Sequence, residues 1–295
     1  MIIKTTDSVV NTRVATLEDV ELLLRWAGDE GWNPGLDDAR LFYAADATGF
    51  LVTTIDEKIV AGISLVKYTS AQAFLGLYLC LPGYRGKGYG MATWSRALDA
   101  IEKHTVGLDG VADQQDNYRQ SGFVYCFGNR RFQGVLAIQD DHPLLSGAAG
   151  EVSVAEATAN NVGAIIDYDA DVGGFERIRF FQAWMQACDS RSAFIALQAG
   201  RVVGVIGLRK CLEGYKVGPW LADSQSIATQ LLHASSAVTK NQTVMIDIPE
   251  VNVLSIQIAE SLSLQPVFDT ARMYKGEGPV IDERRLFGVA TLELG

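Results

Sequence analysis

The sequence predicts a mixed α/β chain (α+β in class) that holds one architecture twice. Each copy is a mixed, mainly antiparallel sheet flanked by helices. Three observations carry this. An apolar run from Phe74 to Leu81 reads as a buried strand. A glycine-rich turn follows it, and then Met91, Trp94, Ala97, Leu98 and Ile101 at helical spacing. Stretches of the first half recur in order in the second. Ala15-Thr16 with Val20 returns as Ala157-Thr158 with Val162, Phe50-Leu51-Val52 as Phe194-Ile195-Ala196, and Ile59 to Leu65 as Arg201 to Gly207. Finally, both halves read as helix, two β-rich segments, strand, helix, strand, helix, an antiparallel start with a βαβ unit at its heart.

Each element has a local reason. Thr16 with Asp19 three residues on predicts a capping box at the start of the first helix. Segments 50–55 and 59–68 are joined by Asp56-Glu57-Lys58, and 193–198 and 202–209 by Ala199-Gly200-Arg201. Both are hairpin signatures. At 295 residues the chain is comfortable for two domains, expected at 1–140 and 151–280. The linker between them falls in the turn-rich stretch 140–150.

Composition excludes several classes. Hydrophobic residues make up 48% and charged residues 20%, as in an ordinary globular protein. No apolar run reaches the length of a membrane span, and Met1 to Asp7 carries no signal-peptide pattern. Cys80, Cys126, Cys188 and Cys211 lie in apolar contexts without metal or disulfide spacing. They are expected to be buried free thiols in a reducing, cytoplasmic compartment. His104, His142 and His233 are too dispersed to suggest a metal site. A net charge of −10 argues against nucleic acid as a partner and suits a cationic small molecule such as an amine.

The chemistry is concentrated in Leu79-Cys80-Leu81-Pro82-Gly83-Tyr84-Arg85-Gly86-Lys87-Gly88-Tyr89-Gly90-Met91. A strand, a glycine turn and a helix N-terminus form an anion cradle. Free N–H groups and the helix dipole favour a phosphate there, and Arg85 and Lys87 add charge. Neither the P-loop pattern nor the dinucleotide G-x-G-x-x-G pattern is present. Arg85, Gly88 and Gly90 spell R-x-x-G-x-G instead. This resembles the pyrophosphate loop of the GCN5-related N-acetyltransferases, the GNAT superfamily. The chain's two halves together resemble tandem acetyltransferases of the YitH type, with Glu30 to Gly35, Gly218 to Asp223, Asp247 to Glu250 and Arg272-Met273-Tyr274 carrying the likeness.

The resemblance implies two tandem GNAT folds and an acetyl-CoA-dependent N-acetyltransferase without a metal. The acetyl group passes to a small-molecule amine by direct attack. Main chain at Leu79, Cys80 and Leu81 would pair with pantetheine and the thioester carbonyl. Tyr118-Arg119-Gln120-Ser121-Gly122-Phe123 matches the family's Y-x-x-x-G-F, so Tyr118 would protonate the departing thiolate. Many family members carry a glutamate on the strand that precedes the loop, and Phe74 to Leu81 has no carboxylate. Asp109 is therefore the first candidate base and Asp37 the second. The loop between the first two helices, Glu30 to Asp37, would build the acceptor pocket with Trp32, Asn33 and Asp37. Asp167-Tyr168-Asp169-Ala170-Asp171, in a comparable segment of the second copy, would meet a cationic amine if it faced that cleft. In the second copy the loop has become Asp223-Ser224-Gln225-Ser226-Ile227-Ala228. An aspartate stands where Arg85 would be and the glycines are gone, so only the first copy is expected to bind CoA. Asn252 keeps its family position there, and it and the Asp247 region would serve a regulatory ligand if they lined a cleft. The alternatives are a CoA-binding sensor without turnover, or an acyltransferase using another acyl donor or acceptor. The resemblance leaves a homodimer open.

Overall fold

A computed structural model describes residues 3–5, 8–101, 103–145 and 151–295. Residues 146–150 of the expected linker lie outside the described residues. The first copy runs β1 (Ile3–Thr5), β2 (Ser8–Val14), α1 (Leu17–Asp29), α2 (Asp38–Ala45), β3 (Phe50–Ile55), β4 (Lys58–Lys67), β5 (Gln72–Cys80), α3 (Tyr89–Leu98), β6 (Thr105–Val111), α4 (Gln115–Gln120) and β7 (Val124–Val135). The second runs β8 (Ser153–Glu156), α5 (Val162–Gly173), α6 (Ile178–Trp184), β9 (Arg191–Gln198), β10 (Arg201–Lys210), β11 (Tyr215–Ala222), α7 (Gln225–Thr239), β12 (Thr243–Pro249), α8 (Val253–Ser261), β13 (Gln265–Lys275) and a short β14 (Leu286–Gly288).

The capping box forms as expected: Asp19 N–H donates to Thr16 Oγ1, and Thr16 N–H donates to the Asp19 carboxylate at 2.8 Å. Both hairpins form, with Ile55 opposite Lys58 and Gln198 opposite Arg201. Asp167 to Asp171 lies within α5, where Ile165, Ile166, Tyr168 and Val172 are buried at helical spacing.

The two sheets merge. The described strands form one sheet in the order β1-β2-β3-β4-β5-β6-β13-β7-β12-β11-β10-β9-β8, with β14 beside β11. All described pairings are antiparallel except β5 with β6 and β11 with β12. From β2 to β8 the order is symmetric about the central pair of β13 and β7. The last long strand of each copy has crossed over: β13 pairs with β6, and β7 with β12. Helices of both copies share one apolar core, where Phe42 of α2 stacks on Trp184 of α6 with ring centroids 6.1 Å apart.

Candidate active site

β5 creates the site. It pairs with β6 only from Gln72↔Thr105 to Leu75↔Leu108. On its other edge the register to β4 slips between Gly62↔Leu79 and Ser64↔Gly76, so β5 carries an extra residue. Leu77 at this bulge has φ 44°, a left-handed conformation rare for a branched side chain. The bulge turns β5 away from β6, and a wedge opens whose β5 side has no strand partner among the described residues. A cavity of about 700 Å³ fills this wedge.

At the mouth of the wedge the chain turns through Pro82–Tyr84 into the glycine loop. Gly86 and Gly88 have φ 73° and 87°, which only glycine adopts without strain, and Gly88 caps α3. No side-chain hydrogen bond caps this helix end at Gly88; of its first-turn N–H groups that of Gly90 lies against the Cys80 sulfur, and the end is open to an anion. A Cβ on Gly83, Gly86 or Gly88 would meet open space, so room for a ligand lies beside the loop. The residues present therefore fit a diphosphate with a long amide-bearing arm laid along β5.

The structure brings most of the expected residues together. Leu79, Cys80, Arg85, Gly86, Gly88, Gly90, Met91, Asp109, Tyr118 and Trp32 line the cavity. Leu81, Lys87, Tyr89, Asn33 and Asp37 do not. Lys87 donates to the Gly83 carbonyl at 2.9 Å and lies over the Tyr84 ring. Asn33 clasps the other copy instead, donating to the Glu213 carbonyl at 2.8 Å and accepting from Glu213 N–H at 2.9 Å. Asp37 accepts from Ser190, a contact that holds its carboxyl below the usual carboxylate range.

Tyr118 packs between Trp94 and Phe123, and burial pushes its hydroxyl up to about 12. It stays protonated near neutral pH, and the same burial makes it a weaker acid than a free tyrosine. The Cys80 thiol is also pushed up by burial, which keeps it from being a thiolate nucleophile. The Asp109 side chain is buried. Both its oxygens accept from Arg272 at 2.8 Å, and Asn129 donates to it at 2.7 Å. Burial raises its carboxyl while Arg272 opposes the rise.

The expectation of buried thiols fails at Cys126 and Cys188, which are exposed; Cys211 is buried. Cys126 follows exposed Val124 and Tyr125 at the start of β7, and burial along this strand begins only at Phe127.

Sequence reasoning missed the residues brought in by the exchanged strands, Arg131 from the first copy and the rest from the second. Arg131 of β7 and Phe268 and Thr270 of β13 line the cavity, with Leu292 and Glu293 of the segment after β14. The main chain of Glu293 lies against Gly76, where any Cβ would collide with it. Burial would raise the Glu293 carboxyl, but Lys216, Arg209 and the Thr291 hydroxyl outweigh it and hold it at about 2. The only sequence signal of this was the family likeness at Asp247 and Arg272; Asp247 takes two hydrogen bonds from Arg131, at 2.7 and 2.9 Å.

The corresponding wedge in the second copy is closed. β11 pairs with β12 only from Tyr215↔Val244 to Val217↔Ile246, and β14 then fills the gap. Val289 N–H donates to the Asp247 carbonyl at 3.0 Å on the β12 side, and Phe287 is wholly buried against Trp220. Asn252 caps α8 and donates to the carbonyls of Arg284 and Leu286, so it secures this strand rather than lining a cleft. Asp223 accepts from the Tyr168 hydroxyl at 2.7 Å. In the helix that carries Tyr168, Asp169 is paired with Arg177 and Asp171 with Arg285.

Comparison with known proteins agrees with this doubling. Residues 17–123 match the acetyltransferase (GNAT) family model and residues 165–288 an acetyltransferase (GNAT) domain model. Over 285 residues the chain is 32% identical to the holothin acyltransferase of Pseudoalteromonas sp. (strain SANK 73390), spanning 96% of this chain and 94% of that protein. In fold it is similar to a putative acetyltransferase from Pyrococcus horikoshii, with a TM-score of 0.79 at 20% identity over 99% of this chain and 98% of that one. It is also similar to a tandem GNAT protein from the clavulanic acid biosynthesis pathway, with a TM-score of 0.60 at 15% identity over 92% of this chain and 99% of that one.

Proposed function

We propose, since this chain belongs to the acetyltransferase (GNAT) family, that it is an acetyl-CoA-dependent N-acetyltransferase whose first copy performs the chemistry on a small-molecule amine. The observation that carries this reading is the asymmetry of the two wedges. One is open beside an uncapped, glycine-lined helix N-terminus, and the other is filled by the chain's own β14.

In this reading the N–H groups from Gly86 to Gly90 and the dipole of α3 hold the diphosphate. The main chain of Leu79 and Cys80 receives the pantetheine arm as an added strand would be received. The N–H groups at the bulge, Leu77 and Tyr78, polarise the thioester carbonyl. Acetyl-CoA supplies an activated acyl carbon. The amine nitrogen attacks that carbon directly, the C–N bond forms, the C–S bond breaks, the nitrogen sheds a proton to a carboxylate or water, and Tyr118 gives its proton to the sulfur. Asp109 serves by fixing Arg272 beneath the site. The relative's name specifies acyl transfer without specifying acetyl, and it makes holothin an acceptor to try.

Calorimetric titration with acetyl-CoA tests the reading. One equivalent per chain is expected. Arg85→Glu with Gly88→Asp is expected to abolish binding, and Asp223→Ala to leave it unchanged. Equal loss from both variants would sink the asymmetric assignment. A second reading, binding without turnover, is favoured by the engagement of both Asp109 oxygens. Turnover of any amine in a panel with acetyl-, propionyl- and longer acyl-CoA would exclude it.

A further inference from the structure

Four carboxylates line the cavity, and they differ in what holds them. Asp109 is locked to Arg272, Glu293 is surrounded by Lys216, Arg209 and Thr291, and Asp113 follows β6 in an exposed turn. The fourth, Glu30, is bound by a group that must itself move. Arg85, the arginine of the glycine loop, pairs closely with Glu30 and donates from Nε to the Cys80 carbonyl at 2.9 Å. Cys80 is a strand residue on which the pantetheine arm is expected to lie. The guanidinium thus spans the mouth of the wedge and ties a loop carboxylate to the strand the donor needs.

Glu30 is also in the wrong place for helix stability. It is the C-cap of α1, directly after Asp29, and the last turn of that helix has no basic residue. The carbonyl end of a helix repels carboxylates and attracts cations. Arg85 relieves that repulsion by pairing with Glu30. A diphosphate in the glycine loop is a stronger partner for Arg85 than a half-exposed carboxylate. Once Arg85 turns to it, Glu30 is left at the negative end of α1, facing the cavity beside Trp32, and in want of a cation or a proton.

We infer that Glu30 is the proton acceptor for the incoming amine and that Arg85 masks it until the acyl donor binds. This rests on the acetyltransferase reading above. As the C–N bond forms, the proton shed by nitrogen passes to a Glu30 oxygen, directly or through one water. The C–S bond breaks, and the thiolate takes the Tyr118 proton. Glu30 then releases its proton to solvent and Tyr118 regains one. The order of binding follows: donor first, amine second.

Three measurements on the full chain test this. Glu30→Gln should lower kcat on the order of 10²-fold or more with a responsive amine. It should leave acetyl-CoA affinity unchanged or up to about five-fold tighter, since a competing partner of Arg85 is gone. The acidic limb of the pH–rate profile should disappear in Glu30→Gln and return in Glu30→Asp. Amine affinity should rise when CoA is present in the wild type, and this coupling should vanish in Glu30→Gln. Unaltered kcat and pH profile in Glu30→Gln would overturn the assignment, as would amine binding indifferent to CoA. Failure of the wild type to bind acetyl-CoA would instead strike the underlying reading.

Discussion

At the scale of the residue, the interior beneath the wedge is held by charge as well as by apolar packing. Glu293 is 6% exposed, with Lys216 3.6 Å and Arg209 3.8 Å away. Removing one member of a buried ionic group strands the others, so Glu293→Gln should cost about 3–5 kcal/mol at pH 7. The sign of its pH dependence is fixed by its depressed carboxyl. The stabilisation is complete above the ordinary glutamate range and drains away as pH falls from there towards 2. Urea unfolding at pH 7, 5, 4 and 3 should show the gap between wild type and Glu293→Gln narrowing below about pH 4.5. A gap constant over that range would mean that Glu293 gains nothing from its cations. The same logic explains why Asp109 makes a poor free base and a good anchor. Its residue type was legible in the sequence, but its partner Arg272 lies far along the chain on a strand whose neighbour no local pattern specifies.

At the scale of the element, the glycine loop was the most legible part of the molecule. Each of its constraints is local: Gly86 and Gly88 adopt left-handed backbone, and α3 starts where the glycines end. The loss of that loop at Asp223 was equally plain. What filled the second wedge was not, because β14 lies after the repeat and three residues carry no usable periodicity. Phe287 is the test of its role. The side chain is wholly buried with its ring centroid 5.3 Å from that of Trp220, so Phe287→Ala should cost about 3–5 kcal/mol in urea unfolding. It should still bind one acetyl-CoA per chain, because loosening the plug restores neither the glycines nor an arginine at position 223. A second equivalent would show that β14 alone keeps the second wedge from a ligand.

At the scale of the whole molecule, the exchange of β7 and β13 makes the two copies parts of one folding unit. The alternation of each strand announces a buried face and says nothing about which copy supplies its neighbours, so this exchange was invisible before the fold was seen. Its consequence is energetic. Without the second copy, β6 would become an unpaired edge and Asp109 would lose Arg272; without the first, β12 would lose β7 and Asp247 would lose Arg131. It is also functional, since Arg131, Phe268, Thr270 and Glu293 reach the first copy's cavity only through the exchanged strands and the segment after β14. A protease site introduced between residues 145 and 151 provides the test. After complete cleavage the two pieces should elute together in size-exclusion chromatography and keep their acetyl-CoA affinity, because every crossing contact survives the cut. Residues 1–145 expressed alone should be insoluble or unfolded, and should recover binding when refolded with residues 151–295. Separation of the cleaved pieces into two folded species would show that the crossed strands do not hold the halves together.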